Sequence, residues 1–150
     1  MNQQETPENQ LEYEKTEAAR DIAVEKSKQH CYAELLDTEG SPFYNMREPD
    51  LFMLAVGYGR EKAGRTELQG DKHYLTQRFQ LTNEQEWIIK SVAIKEEQSV
   101  DVLRDERLVY RIAQEYANAG IKKLHSRVFG PDDDSLSELT TEIVTLHNDN

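Results

Sequence analysis

Residues 50–66 read DLFMLAVGYGREKAGRT, an apolar run that passes through two glycines into a basic loop. The run Leu51–Val56 has no polar residue, which is typical of an element buried on all sides. Pro49 suits the first turn of a helix, and Glu48 and Asp50 lie where a helix dipole favours negative charge. The stretch therefore predicts a central helix over roughly Pro49–Val56, with a short buried strand as the alternative.

A second helix is predicted to start at Thr82. Thr82 and Gln85 have the spacing of a capping box, in which each side chain binds the other residue's backbone N–H. Apolar residues recur behind this start, and we expect them on the inner face of the helix. They are Trp87, Ile88 and Val92, with Ala93 and Ile94 as further candidates.

Two further helices are predicted in the last third of the chain. Asp105 can cap the first, whose apolar residues recur at intervals of three and four. We expect this helix to break at residues 118–120, with Gly120 supplying a left-handed residue. Ser135 with Glu138 forms another capping-box pattern, which predicts a final helix.

The amino-terminal part predicts a separate arm. Residues 1–7 are polar and are expected to be a disordered tail. Residues 8–40 are acidic, and they contain no Gly or Pro up to residue 36, which indicates a long, weakly amphipathic helix. Its thin apolar stripe suggests a partner-binding face. The stripe residues proposed for it are Leu11, Ala18 and Ile22. The fold class is thus mainly α: a compact multi-helix domain over residues 41–147, this arm, and at most a short extended segment near residues 72–80.

The charge of the chain is unevenly distributed. The 150 residues carry a formal net charge of -11. Residues 1–40 hold ten acids and four bases and residues 130–150 six acids and no base, whereas residues 41–129 hold thirteen acids and fourteen bases. The body is therefore nearly neutral, and the acidic total does not by itself exclude a polyanionic ligand. The alternative is that the acidic ends serve solubility alone.

Residues 59–66 come close to a phosphate-binding loop. They spell Gly, four residues, Gly64, Arg65 and Thr66, so arginine occupies the position of the lysine. Arginine is a poor substitute for that compact point charge. The residues that follow do not predict the helix such a loop requires, so a degenerate nucleotide-binding loop is only a remote alternative.

The basic loop also suggests contact with nucleic acid. Mobile basic loops beside aromatic rings suit binding to phosphates and stacking on bases. The candidate nucleic-acid-binding residues are Tyr58, Arg60, Lys62, Arg65, Lys72 and Arg78. The alternative is an ordinary solvated loop whose bases pair with Glu61, Glu67 and Asp71.

No catalytic constellation or metal site is apparent in the sequence. No Ser or Cys lies in a nucleophile elbow, and the four histidines are widely spaced. His30 is adjacent to the single cysteine, Cys31, but neighbouring side chains on a helix are expected to point in different directions. We therefore expect no enzyme activity, no metal and no cofactor. The polar amino terminus and the lack of a long apolar run predict a cytoplasmic protein without membrane contact.

Several short motifs resemble the small accessory proteins of DNA phosphorothioation and related prokaryotic antiviral defence systems. The resemblance covers residues 41–129. Its motifs are Ser41-Pro42-Phe43, residues 50–58, Arg65-Thr66, Ala93-Ile94, Val102-Leu103 and residues 115–121. It implies a non-catalytic accessory subunit acting with nucleases, ATPases or DNA-modifying enzymes.

The functional prediction combines the resemblance with the charge pattern. We expect an adaptor subunit of a defence or DNA modification-restriction complex, with DNA contact through the basic loop as the finer hypothesis. A stand-alone nucleic-acid-binding helical protein is the main alternative. The sequence leaves the partner, the form of any DNA and a homo-oligomeric state open.

Overall fold

A computed structural model describes residues 13–130, together with residues 139, 141 and 143–145. The elements in chain order are strand β1 Asp21–Glu25, helix α1 Gln29–Asp37, helix α2 Glu48–Tyr58, strand β2 Lys72–Gln77, helix α3 Asn83–Glu97 and helix α4 Glu106–Phe129. Short 3-10 turns at Lys26–Lys28, Arg78–Gln80 and Val100–Arg104 connect them. The mainly α fold with a short extended segment near residues 72–80 is confirmed. The capping box of Ser135 and Glu138 lies outside the described residues.

Helix α4 is the centre of the fold. The Asp105 carboxylate accepts the Leu108 N–H at its start, as predicted. The expected break at residues 118–120 is wrong, because α4 runs without interruption to Phe129. Gly120 and Asn118 are both buried within it, so these residues serve contacts across the helix rather than its termination.

The apolar run of the opening stretch forms helix α2, as predicted, and the strand alternative is wrong. Pro49 lies in its first turn, with Glu48 and Asp50 at the positive end of the helix dipole. Leu51, Phe52, Ala55 and Val56 are essentially fully buried. This run is therefore the main apolar contribution of α2 to the core.

Two glycines allow α2 and α4 to approach each other closely. A Cβ atom on Gly120 would lie 2.0 Å from the backbone oxygen of Ala55, and one on Gly59 would lie 1.9 Å from that of Tyr116. Such distances are well inside van der Waals contact, so only glycine fits at either position. The need for glycine at residue 120 thus comes from helix packing and not from a left-handed conformation.

The predicted helix over residues 8–36 is only partly right. Its end forms helix α1, but the middle of the segment is a strand. Strand β1 pairs antiparallel with β2, from Asp21 opposite Gln77 to Glu25 opposite Lys72, with a register irregularity after Ile22. Three consecutive residues of β1, Ile22–Val24, are buried. A short run of β-forming residues between charged neighbours carried this signal, and the helical periodicity obscured it.

The segment before β1 lies along the start of α4. The Thr16 hydroxyl donates to the Asp105 carboxylate at 2.7 Å, and the Ala18 N–H donates to Glu106 Oε1 at 3.1 Å. Buried residues on both sides of residue 40 belong to one apolar core. The separate arm at residues 8–40 is therefore joined to the body over all of its described part.

Helix α3 starts with the predicted capping box. The Thr82 side chain accepts the Gln85 N–H, and the Gln85 side chain accepts the Thr82 N–H. The predicted inner face is partly wrong. Ala93 is buried as predicted and Ile89 is buried as well, whereas Trp87 is 57% exposed and Ile88 is 52% exposed. Trp87 lies two residues before Ile89, which places it about 200° away around the helix.

Candidate functional site

The loop after α2 is not a phosphate cradle. Residues Gly59–Ala63 extend the helix as a π turn, and Gly64 then reverses the chain with a φ of 93°. The Thr66 N–H donates to the backbone oxygen of Glu115 in α4 at 3.1 Å. The loop is thus hydrogen-bonded to α4 through the Thr66 N–H. In a phosphate-binding loop, backbone N–H groups point toward the phosphates instead.

Arg65 forms an ion-pair clamp between α3 and α4. Its Nε donates to Glu115 Oε1 at 2.7 Å, and its Nη1 donates to Glu96 Oε2 at 2.9 Å. Burial alone would lower the pKa of the guanidinium, but these two carboxylates raise it. The Tyr116 hydroxyl donates to Glu96 and, with Arg65, lowers the pKa of that carboxyl. The positive charge of Arg65 is therefore already paired with carboxylates of the protein itself.

The other predicted nucleic-acid-binding residues are divided between internal and exposed positions. Tyr58 is 1% exposed, so its ring cannot stack on a base in this fold. Arg78 donates to the backbone oxygen of Ala19 at 3.0 Å and lies 5.5 Å from the centre of the Tyr110 ring. Of the remaining three, Arg60 is partly buried with a long contact to Glu61, whereas Lys62 and Lys72 are exposed.

A buried polar network fixes the chain between this loop and β2. Glu25 Oε1 accepts the Gln69 N–H at 2.8 Å and the Asn118 amide at 3.2 Å, and Lys28 lies 3.5 Å from Oε2. The same Asn118 amide donates to the backbone oxygen of Thr66 at 3.1 Å. Asn118 is thus a connector inside α4, a role that its position in the sequence did not reveal.

A cleft opens beside this network between β1, β2 and α4. Its volume is about 300 Å³. Ten residues line it: Ala19, Asp21, Glu67, Leu68, Lys72, Arg107, Tyr110, Arg111, Gln114 and Glu115. We call it the basic cleft for the three cationic side chains among them.

The three cationic side chains that line the basic cleft belong to exposed residues. Arg107 and Arg111 lie four residues apart on one exposed face of α4, and Lys72 is exposed on β2. Within the described residues none of the three forms an ion pair. Unpaired arginines at a concave surface are suited to bidentate contact with phosphate.

Two of the three acids that line the cleft are already paired. Asp21 binds Arg20 through two hydrogen bonds of 3.3 and 3.2 Å, and Glu115 binds Arg65 at 2.7 Å. Of the lining acids, only Glu67 has no ion pair within the described residues. Within the described residues the cleft lining therefore holds three unpaired cations and one unpaired acid, although the chain as a whole is strongly acidic.

The expectation that Cys31 points away from its histidine neighbour is wrong. Cys31 Sγ lies 3.6 Å from His30 Nε2, and His125 of α4 completes a group of three possible metal donors. His125 Nε2 is in turn 2.7 Å from Glu34 Oε1. The fold joins His30 and His125, which are 95 positions apart in the chain, and no sequence spacing could have indicated this.

The predicted partner stripe does not form an open surface. Ala18 and Ile22 are buried in the core, so neither is accessible to a partner in this fold. Leu11 lies outside the described residues. Other apolar side chains are exposed instead, and they follow one another along the segment from β2 into α3. They are Tyr74, Phe79, Trp87 and Ile88.

The chain matches a known protein family over most of its length. A family model described as DNA sulphur modification system-associated protein 4 matches residues 21–149. The chain belongs to this family. Membership confirms the resemblance seen in the sequence and extends it to β1, which the shorter motifs had left outside.

The family is associated with DNA sulphur modification systems, and this is consistent with an accessory role. No curated protein and no solved structure matches the chain. Among the described residues, no helix is both long and apolar enough to cross a membrane.

Proposed function

We propose that this protein is a non-catalytic accessory subunit of a DNA sulphur modification system and that it contacts the DNA backbone through the basic cleft. The observation that supports this most directly is the unpaired state of Lys72, Arg107 and Arg111 around one concave surface of the described structure. Such contacts position a protein on DNA without reading its sequence. A part in antiviral defence and the identity of the other subunits stay predictions.

The proposed DNA contact lies in the cleft and not in the loop that the sequence suggested. Arg65 already pairs with the partly buried carboxylates of Glu115 and Glu96, and releasing it would leave them without that partner. Arg78 already donates to the backbone oxygens of Ala18 and Ala19. Lys72 is the one residue common to the predicted loop surface and the cleft. Arg107 and Arg111 can move to a phosphate without breaking an ion pair of the described structure.

A second surface suits the adaptor part of the hypothesis. Trp87 and Ile88 are adjacent on the outer face of α3, and the Lys90 ammonium lies 4.6 Å from the centre of the Trp87 ring. Exposed Trp is enriched at the centres of protein interfaces because it buries a large area at low entropic cost. We propose this face for contact with another protein of the system.

The DNA contact is tested by charge reversal in the cleft. A fluorescently labelled duplex of arbitrary sequence is titrated with the full chain while anisotropy is measured at several salt concentrations. We expect Arg107→Glu with Arg111→Glu to weaken binding at least about tenfold and to reduce the salt slope by roughly 0.9 for each phosphate that the variant no longer neutralises. The matched control, Lys26→Glu with Lys95→Glu, changes the net charge equally on exposed residues outside the cleft and should retain far more affinity.

The adaptor surface is tested by a second double variant of the same protein. Trp87→Ser with Ile88→Ser should leave DNA binding at the parental level, because these residues lie outside the cleft. It should reduce co-purification with the other proteins encoded by the same modification system.

No DNA binding by the parent at low salt, or equal losses in the cleft variant and its control, would remove the DNA contact. Undiminished recovery of those proteins by the Trp87 variant would remove the adaptor face.

A further inference from the structure

Three soft or borderline metal donors meet where α1 packs against the second half of α4. His30 and Cys31 open α1, and His125 lies one turn before the end of α4. One donor atom from each residue lies within 4.8 Å of the others. Cys31 is buried, His125 is partly buried and the His30 side chain is exposed, so one side of the group is open to solvent.

The distances fit a tetrahedral ion of the zinc class. Zinc bonds of about 2.3 Å to sulfur and 2.0–2.1 Å to nitrogen, at tetrahedral angles, separate sulfur and nitrogen by about 3.6 Å. Cys31 Sγ and His30 Nε2 lie 3.6 Å apart. The His125 donor lies within 4.8 Å of both atoms, so it has to approach them by roughly 1.5 Å at most to complete three such bonds.

Glu34 supplies the support that metal-binding histidines usually have. Its carboxylate lies 2.7 Å from His125 Nε2. A carboxylate on one ring nitrogen can hold the proton there and leave the lone pair of the other nitrogen for an ion. The His125 ring also packs against Phe129, 4.9 Å between ring centres, which restricts its rotation.

We propose that His30, Cys31 and His125 bind one divalent ion of the zinc class and that the ion joins α1 to α4. The Cys31 thiol coordinates as thiolate and releases its proton to solvent when the ion enters. Three protein ligands leave a fourth position to water, on the side where His30 meets solvent. The site is independent of the basic cleft and of the proposed contact with DNA.

Cobalt is the probe for the site, because a Co²⁺–thiolate bond absorbs in the near ultraviolet and tetrahedral Co²⁺ absorbs in the visible. The full chain, reduced and freed of metal with a chelator, is titrated with Co²⁺. We expect both absorptions to saturate at one equivalent and to disappear when Zn²⁺ is added in excess. We also expect Zn²⁺ to raise the midpoint of thermal unfolding, since an ion that binds only the folded chain stabilises it.

Variants assign the ligands. Cys31→Ser should abolish the near-ultraviolet absorption, and His30→Asn and His125→Asn should each weaken Co²⁺ binding by at least about tenfold. His30→Asn changes an exposed side chain and so tests the site without altering the core. His73→Asn removes a histidine on β2 and serves as the matched control. Absence of Co²⁺ absorption in the parent, or equal binding by the His30 and His73 variants, would overturn the proposal.

Discussion

At the scale of single residues, buried carboxylates fasten the irregular parts of the chain. Glu25 holds the loop at Gln69 and the amide of Asn118, and Glu115 holds Arg65. Burial alone would raise the pKa of Glu25, but the hydrogen bonds and Lys28 outweigh it, so this pKa is lowered. The ionised form is thus the one that the fold requires.

This lowered pKa predicts a dependence of stability on pH. A carboxyl whose pKa is lower in the folded than in the unfolded chain stabilises the fold above its ordinary pKa, and that stabilisation is lost as the pH falls through the folded value. We expect Glu25→Gln to lower the free energy of unfolding by about 1–3 kcal/mol at neutral pH. The gap between parent and variant should narrow below about pH 4.

Urea unfolding followed by circular dichroism at several pH values measures both effects. Glu39→Gln is the matched control, because it removes the same charge from an exposed residue after α1 and should change stability by less than about 0.5 kcal/mol. A gap between parent and Glu25→Gln that stays constant into the acid range would show that ionisation of Glu25 contributes nothing to the fold.

At the scale of elements, the crossing of α2 and α4 determines how the helices are arranged. Gly59 and Gly120 bring backbone against backbone at this crossing, each at a site where a Cβ has no room. Gly57 lies on the exposed side of the same helix α2, and nothing lies within 4 Å of its would-be Cβ. The two kinds of glycine therefore predict opposite responses to one methyl group.

Alanine at these positions tests the crossing. We expect Gly120→Ala to destabilise the fold by about 1–3 kcal/mol or more, because the backbone of Ala55 has to move away. Gly57→Ala should stabilise it by about 0.5–1 kcal/mol, since alanine has the higher helix propensity. Chemical denaturation of both variants gives the two values. Similar stabilities for both would mean that the helices separate at no cost and that the close approach is unimportant.

At the scale of the whole molecule, hydrogen bonds between residues close in sequence could be predicted, whereas contacts between residues distant in sequence could not. The capping residues Thr82 and Asp105 act on neighbours three positions away, so their patterns identified two helix starts correctly. The glycine at 120 was misassigned because the residue it meets, Ala55, is distant in sequence. The cleft was missed for the same reason, since Lys72 and Arg107 come together only through the pairing of β2 and the packing of α4.

The amino-terminal segment shows the same limit most clearly. Its sequence predicted a helix with a thin apolar face. In the structure, Ile22 and Val24 are buried in strand β1, which pairs with strand β2 beginning at residue 72. A strand has no local hydrogen bonds, so its partner decides whether it forms. The segment is consequently part of the core and not an appendage to it.

Truncation tests whether the amino-terminal segment is part of the core or a separate arm. A chain that starts at Lys26 lacks β1, leaves β2 unpaired and loses the Glu25 network, so we expect it to show no cooperative thermal unfolding and to aggregate. A chain that starts at Tyr13 keeps every described element and should unfold cooperatively near the parental midpoint. Circular dichroism and size-exclusion chromatography of both chains measure this. If the chain from Lys26 folds as stably as the one from Tyr13, residues 13–25 are an arm after all, and the strand pair contributes no stability.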